Sequence, residues 1–98
     1  MTTKALMNTY GTKAATLVKG EGVWLWDANG NKYLDALSGI AVCGLGHSHP
    51  AIAAAVAEQA SVLTHCSNFF AIPNQVALAD KLCAASGMDK VFFGNSGA

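Results

Sequence analysis

The chain has 98 residues, 52% of them hydrophobic and only 12% charged, about half the charged share of a typical soluble domain. Six Lys balance six Asp and Glu, and there is no Arg. Zero net charge without a basic cluster argues against nucleic acid or an anionic membrane as main partner, the apolar content excludes a disordered tail, and the length admits one small domain at most.

Met1–Tyr10 is weakly patterned and reads as a short helix, with no apolar core or cleavage site of a signal peptide. Thr16–Lys19 and Val23–Trp26 flank Gly20-Glu21-Gly22 and predict two strands around a glycine turn. Alternation places Val23 and Leu25 on one face and Trp24 and Trp26 on the other. Asp27-Ala28-Asn29-Gly30-Asn31 is a turn, because Gly30 takes the left-handed conformation cheaply. Lys32–Asp35 returns as a third strand, completing an antiparallel meander.

From Ala36 to Ala79 the only formal charge is Glu58. Interruptions such as Gly39, Gly44, Gly46 and Pro50, then Asn68 and Pro73, deny it the roughly 20 apolar residues of a spanning helix. It is therefore expected to lie against protein, in a larger body or an obligate oligomer. Gly39–Gly46 reads as a buried loop. Pro50 suits the first position of a helix running to about Leu63, with His49 or Ser48 as its cap and Ile52, Val56, Ala60 and Leu63 on one face. A break is expected near residues 64–73. Asn74 is expected to cap a second helix through Ser86, with Val76, Ala79, Leu82 and Cys83 inward and Gly87 ending it. Lys90–Phe93 reads as a buried strand leading into Gly94-Asn95-Ser96-Gly97-Ala98.

Four constellations bear on chemistry. Small residues after a strand let backbone N–H groups approach a phosphate, and Ser96 adds a hydroxyl; the same residues also make a plain strand-to-helix turn. No Gly-Lys-Ser/Thr is present, so this is not a Walker A loop. Gly44-Leu45-Gly46-His47-Ser48-His49 is a near miss of the dinucleotide fingerprint; the acidic residue about 20 positions on is absent, and a tight turn is the better reading. Cys43, His47, His49, His65 and Cys66 lack the spacing of a metal site, and satisfied, partly buried His residues account for them better. Three Cys with no CxxC fit a reducing compartment. Phe69-Phe70 reads as buried core or interface.

Taken in order, Gly20-Glu21-Gly22, Trp26-Asp27, Gly30, Tyr33-Leu34-Asp35, Ser38-Gly39-Ile40-Ala41-Val42, Leu45-Gly46-His47-Ser48-His49-Pro50, Ser67-Asn68-Phe69-Phe70 and Val91–Ala98 resemble the start of a class-III pyridoxal-phosphate aminotransferase, most of all the acetylornithine branch. The resemblance implies an α/β fold, the N-terminal piece of a fold-type-I transferase. Residues 1–66 would be a small-domain segment with meander and helix, and 67–98 the start of the large cofactor-binding domain. It implies a cytoplasmic homodimer using pyridoxal 5'-phosphate to move an amino group between N-acetylornithine and 2-oxoglutarate in arginine synthesis. Ser96, Gly97 and Ala98 would hold the cofactor phosphate, while Gly39, Ile40 and Val42 would line the substrate channel. Ornithine-specific relatives tend to carry Tyr where this chain has Ile40, and Ile40 suits a neutral acylated end. Many acetylornithine relatives carry Tyr where this chain has Ala71. The family's Schiff-base Lys and carboxylate-binding Arg are not among these residues, so no catalytic residue is expected in this chain and the 98 residues alone are expected to be inactive; the Cys and His spacing already leaves no metal ligand expected. The alternatives are a related transaminase acting on ornithine, succinyl-ornithine or 4-aminobutyrate, and, from other classes, a binding or metal-binding module.

Overall fold

Short runs rich in Leu, Val, Trp and Tyr and two glycine-bearing turns build a three-stranded antiparallel sheet. Its strands are β1 (Leu17–Glu21), β2 (Trp24–Asp27) and β3 (Lys32–Leu34), in the order β1-β2-β3. The computed structural model describes residues 4–97. Gly22 makes the first turn at φ +57° and Gly30 the second at φ +85°, conformations that cost glycine little. Lys19 faces Trp26 on one side, and Trp26 faces Lys32 on the other. The ammonium of Lys32 lies 4.1 Å from the Trp24 ring centre, and that of Lys19 lies 4.6 Å from Trp26. Both indoles therefore share one face, as the alternation predicts, under two Lys side chains.

A single helical turn follows, α1 (Ser38–Ala41), and then two regular helices, α2 (Pro50–Val62) and α3 (Pro73–Ser86). His49 caps α2: its Nδ1 accepts from the Ala51 N–H at 3.2 Å, and its carbonyl accepts from Ala53 at 3.0 Å. Pro50 thus takes the first helical position, as expected. Gly87 ends α3 in the left-handed conformation, at φ +73°, donating to the Cys83 carbonyl. The chain forms two units, Met1–Val62 and Leu63–Ala98. No helix among the described residues is long and apolar enough to cross a membrane.

Several expectations need correction. Residues 4–10 form turns and bends rather than a helix, and residues 1–3 of that expected helix lie outside the described residues. Ile72, not Asn74, is the N-cap of α3, because Pro73 has a fixed φ and no N–H to leave unsatisfied and so starts the helix two residues earlier than expected. Ala79 and Cys83 are half-buried, but Val76 and Leu82 stay largely exposed. Residues 90–93 form no strand: a parallel strand exists only through a hydrogen-bonded neighbour, and none of the described residues supplies one. They instead run beside α3, where Val91 and Phe93 line a shallow groove with Val76 and Ala79. Phe92 is 93% exposed. The Gly39–Gly46 loop is not buried, and Phe69 and Phe70 are not core. Among the described residues no apolar side chain is fully buried, so the apolar stretch is an uncovered surface within this chain.

Candidate functional site

The backbone between β3 and α2 holds the strongest local departure from ordinary geometry. Ser38, Gly39, Ile40 and Ala41 have φ of +57°, +64°, +66° and +60°, one turn of left-handed helix. Its N–H groups are satisfied as in any helix: Ala41 donates to the Leu37 carbonyl at 3.2 Å and Val42 to Ser38 at 2.9 Å. Only Gly39 takes this conformation freely. For L-residues it costs about 1–2 kcal/mol each, because Cβ crowds the following carbonyl. Three non-glycine residues in a row of four, one of them β-branched, are rare, and such strain concentrates at functional sites.

The turn persists because its flanks hold it. Asp35 directly follows β3, and its Oδ1 accepts from the N–H groups of Leu37 at 3.0 Å and Ser38 at 2.8 Å. The Ser38 hydroxyl donates to the Cys43 carbonyl at 3.0 Å, closing the far side. The Asp35 Oδ2 meets His47 Nε2 at 2.6 Å. Asp35 is held below the usual carboxylate range, first by His47 and next by the Ser38 N–H. An ionised carboxylate only accepts, so Nε2 of His47 carries the hydrogen. Sequence reading anticipated a satisfied His but not its partner, because nothing in twelve residues of separation announces the pairing.

Backbone contacts anchor His47 in turn. Its N–H donates to the Gly22 carbonyl at 2.8 Å, and the Gly22 N–H donates to its carbonyl at 2.9 Å. A Cβ on Gly20 would lie 2.6 Å from the His47 Cβ, and one on Gly46 would lie 2.7 Å from the Gly22 carbonyl oxygen. The first hairpin and the 43–48 loop therefore approach as only glycine permits. Ser48 donates to the Gly20 carbonyl at 2.7 Å.

Of the expected substrate-channel residues, Gly39 and Ile40 lie in the left-handed turn and Val42 follows it directly. Ile40 is 80% exposed and Val42 79%, so both apolar side chains are open to solvent in this chain. Ser96 and Gly97 belong to the other unit, in an exposed bend after Phe93. A Cβ on Gly97 would meet nothing within 4 Å. Small residues, peptide N–H groups and the Ser96 hydroxyl are a donor set that fits a phosphate ester. Ala98 lies outside the described residues. Cys43, Cys66 and Cys83 are free thiols, and no group of three or more metal-ligating side chains occurs among the described residues.

Comparison with known proteins gives these features a context. Residues 6–98 match the family described as aminotransferase class-III. The acetylornithine aminotransferase of Nitrosomonas europaea is 60% identical over 93 residues, which is 95% of this chain and 24% of that protein. The chain thus spans about a quarter of the length of the curated relatives it matches, their N-terminal portion. Among solved structures, acetylornithine aminotransferase from Elizabethkingia anophelis superposes with a TM-score of 0.84 at 38% identity, over 89% of this chain and 23% of that one. The taurine:2-oxoglutarate aminotransferase of Bifidobacterium kashiwanohense, solved with PLP and glutamate, superposes at 0.87 and 28% identity, over 96% and 22%.

Proposed function

The chain belongs to the class-III aminotransferase family, and from that membership we propose that it is the N-terminal portion of an enzyme that transfers the amino group of N-acetylornithine to 2-oxoglutarate, a step of arginine synthesis. The observation that carries the substrate is the 60% identity to an acetylornithine aminotransferase over nearly the whole chain. The cofactor is pyridoxal 5'-phosphate, which when bound takes up the amino group and acts as an electron sink. Ser96, Gly97 and Ala98 hold its phosphate, a role supported by the exposed small-residue bend and the Ser96 hydroxyl. Gly39, Ile40 and Val42 bind the amino donor. The exposed, strained turn supports this role, because rigid presentation of an apolar side chain suits a neutral acylated end and offers a free ammonium nothing to bond.

Residues 1–66 act as part of a small domain and 67–98 as the start of the cofactor-binding domain. The enzyme works as a cytoplasmic homodimer; the uncovered apolar surface supports burial against protein, and three free thiols suit a reducing compartment. The 98 residues alone turn over nothing, since none of their lysines lies in the family's Schiff-base motif.

The test is a panel of amino donors on the full-length protein with pyridoxal 5'-phosphate and 2-oxoglutarate. N-acetylornithine is expected to give the highest kcat/KM. Preference for ornithine or 4-aminobutyrate would replace the substrate assignment, and absence of any transamination would remove the enzymatic one.

A further inference from the structure

We propose that Asp35 and His47 are positioning residues: their pair clamps the left-handed turn Ser38–Ala41 and so fixes where Ile40 meets the amino donor. This rests on the donor-binding role assigned above to Gly39, Ile40 and Val42. Neither Asp35 nor His47 needs to touch a substrate to act in this way.

The geometry divides the labour between the two oxygens of Asp35. Oδ1 gathers the Leu37 and Ser38 N–H groups at 3.0 and 2.8 Å, which directs the chain into positive φ at Ser38. Oδ2 is taken by His47 at 2.6 Å, which prevents the carboxylate from rotating away. His47 is itself fixed at three places: two backbone hydrogen bonds to Gly22 and close packing over Gly20. The Asp35 N–H completes the frame by donating to the Val23 carbonyl at 2.8 Å. The strained turn is thus tied through one side chain, His47, to the β1–β2 hairpin. Remove His47, and Oδ1 keeps two donors but loses its fixed direction. The right-handed conformation, which Ser38, Ile40 and Ala41 all prefer, then competes. Ile40 would leave its presented position, and Val42 would move with it.

Steady-state kinetics of the full-length enzyme with Asp35→Ala, His47→Ala and His47→Gln test the proposal, together with amide hydrogen exchange over residues 37–43. The amide nitrogen of Gln can stand where Nε2 stands and donate to Asp35. His47→Ala is expected to raise KM for the amino donor about 10- to 100-fold, the effect of displacing a substrate-positioning group, with a smaller change in kcat. His47→Gln is expected to recover most of it. Exchange at Leu37 and Ser38 should quicken in His47→Ala and slow again in His47→Gln. Where His47→Ala yields no soluble enzyme, Asp35→Asn supplies the comparison, since it keeps an acceptor for Leu37 and Ser38 but not the anion facing His47. Unchanged donor KM in the alanine variants, or a fall in kcat alone, would overturn the proposal. So would unaltered exchange. If the wild-type enzyme prefers another amino donor, the substrate assignment fails on its own; KM for that donor, with exchange, still decides the clamp.

Discussion

Asp27 carries its charge at 7% exposure because four hydrogens converge on it. The N–H groups of Asn29 and Asn31 reach Oδ1 at 2.9 Å; the Asn31 amide and the Tyr33 hydroxyl reach Oδ2 at 2.9 and 2.8 Å. The Asn31 side chain, ahead of the other donors, lowers the pKa from 3.8 to about 2. A carboxylate depressed in the folded state stabilises it fully above its ordinary pKa, and that contribution disappears as pH falls through the folded value. The indole N–H resonances of Trp24 and Trp26 should therefore hold steady down to about pH 3 and shift as pH falls through about 2. Asp27→Asn should abolish that limb. Tyr33→Phe removes one donor and should move the Asp27 midpoint upward, which a carboxyl NMR titration would read. The turn itself was legible in Asp-Ala-Asn-Gly-Asn. Its Tyr33 ligand was not, because an aromatic in a strand signals packing rather than a hydroxyl aimed at a carboxylate. The Asp35–His47 pair was illegible for the same reason: local patterns do not encode partners brought together by a meander.

At the scale of elements, the hairpins and both regular helices were legible because their signals are local: apolar and aromatic runs punctuated by glycine turns, Pro at a helix start, Gly at a helix end. What escaped was set by contacts. The strand expected at residues 90–93 has the composition for one but no neighbour among the described residues. The left-handed turn at Ser38–Ala41 escaped because only Gly39 advertises positive φ. Glycine substitutions separate local from tertiary demands. Gly30 sits at φ +85°, where an added methyl would meet nothing within 4 Å, whereas Gly46 combines φ +77° with the Gly22 carbonyl at 2.7 Å. Gly30→Ala should cost only the conformational term, about 1–2 kcal/mol. Gly46→Ala should cost more, since it also disrupts the bridge to His47. Thermal unfolding of the two variants beside the full-length wild type gives the order; equal losses would mean that the close approach contributes nothing.

For the whole molecule, the low charge noted in the composition corresponds to apolar surface that this chain leaves uncovered. With no fully buried apolar side chain among the described residues, the isolated 98 residues lack the burial that offsets chain entropy. They should bind a hydrophobic dye and melt without a cooperative transition. A sharp transition would show that they form an independent module. The family was legible in the ordered motifs, while the role of each expected site residue depends on surroundings that 98 residues only begin to build. The donor site is tested most directly by one ratio: kcat/KM for N-acetylornithine over that for ornithine, in the full-length wild type and in Ile40→Tyr. The proposed site requires a ratio above one in the wild type. It also requires a fall of about tenfold or more in the variant, whose hydroxyl can bond a free ammonium and crowds an acyl group. An unchanged ratio would contradict the assignment of Ile40 to the acyl end of the donor.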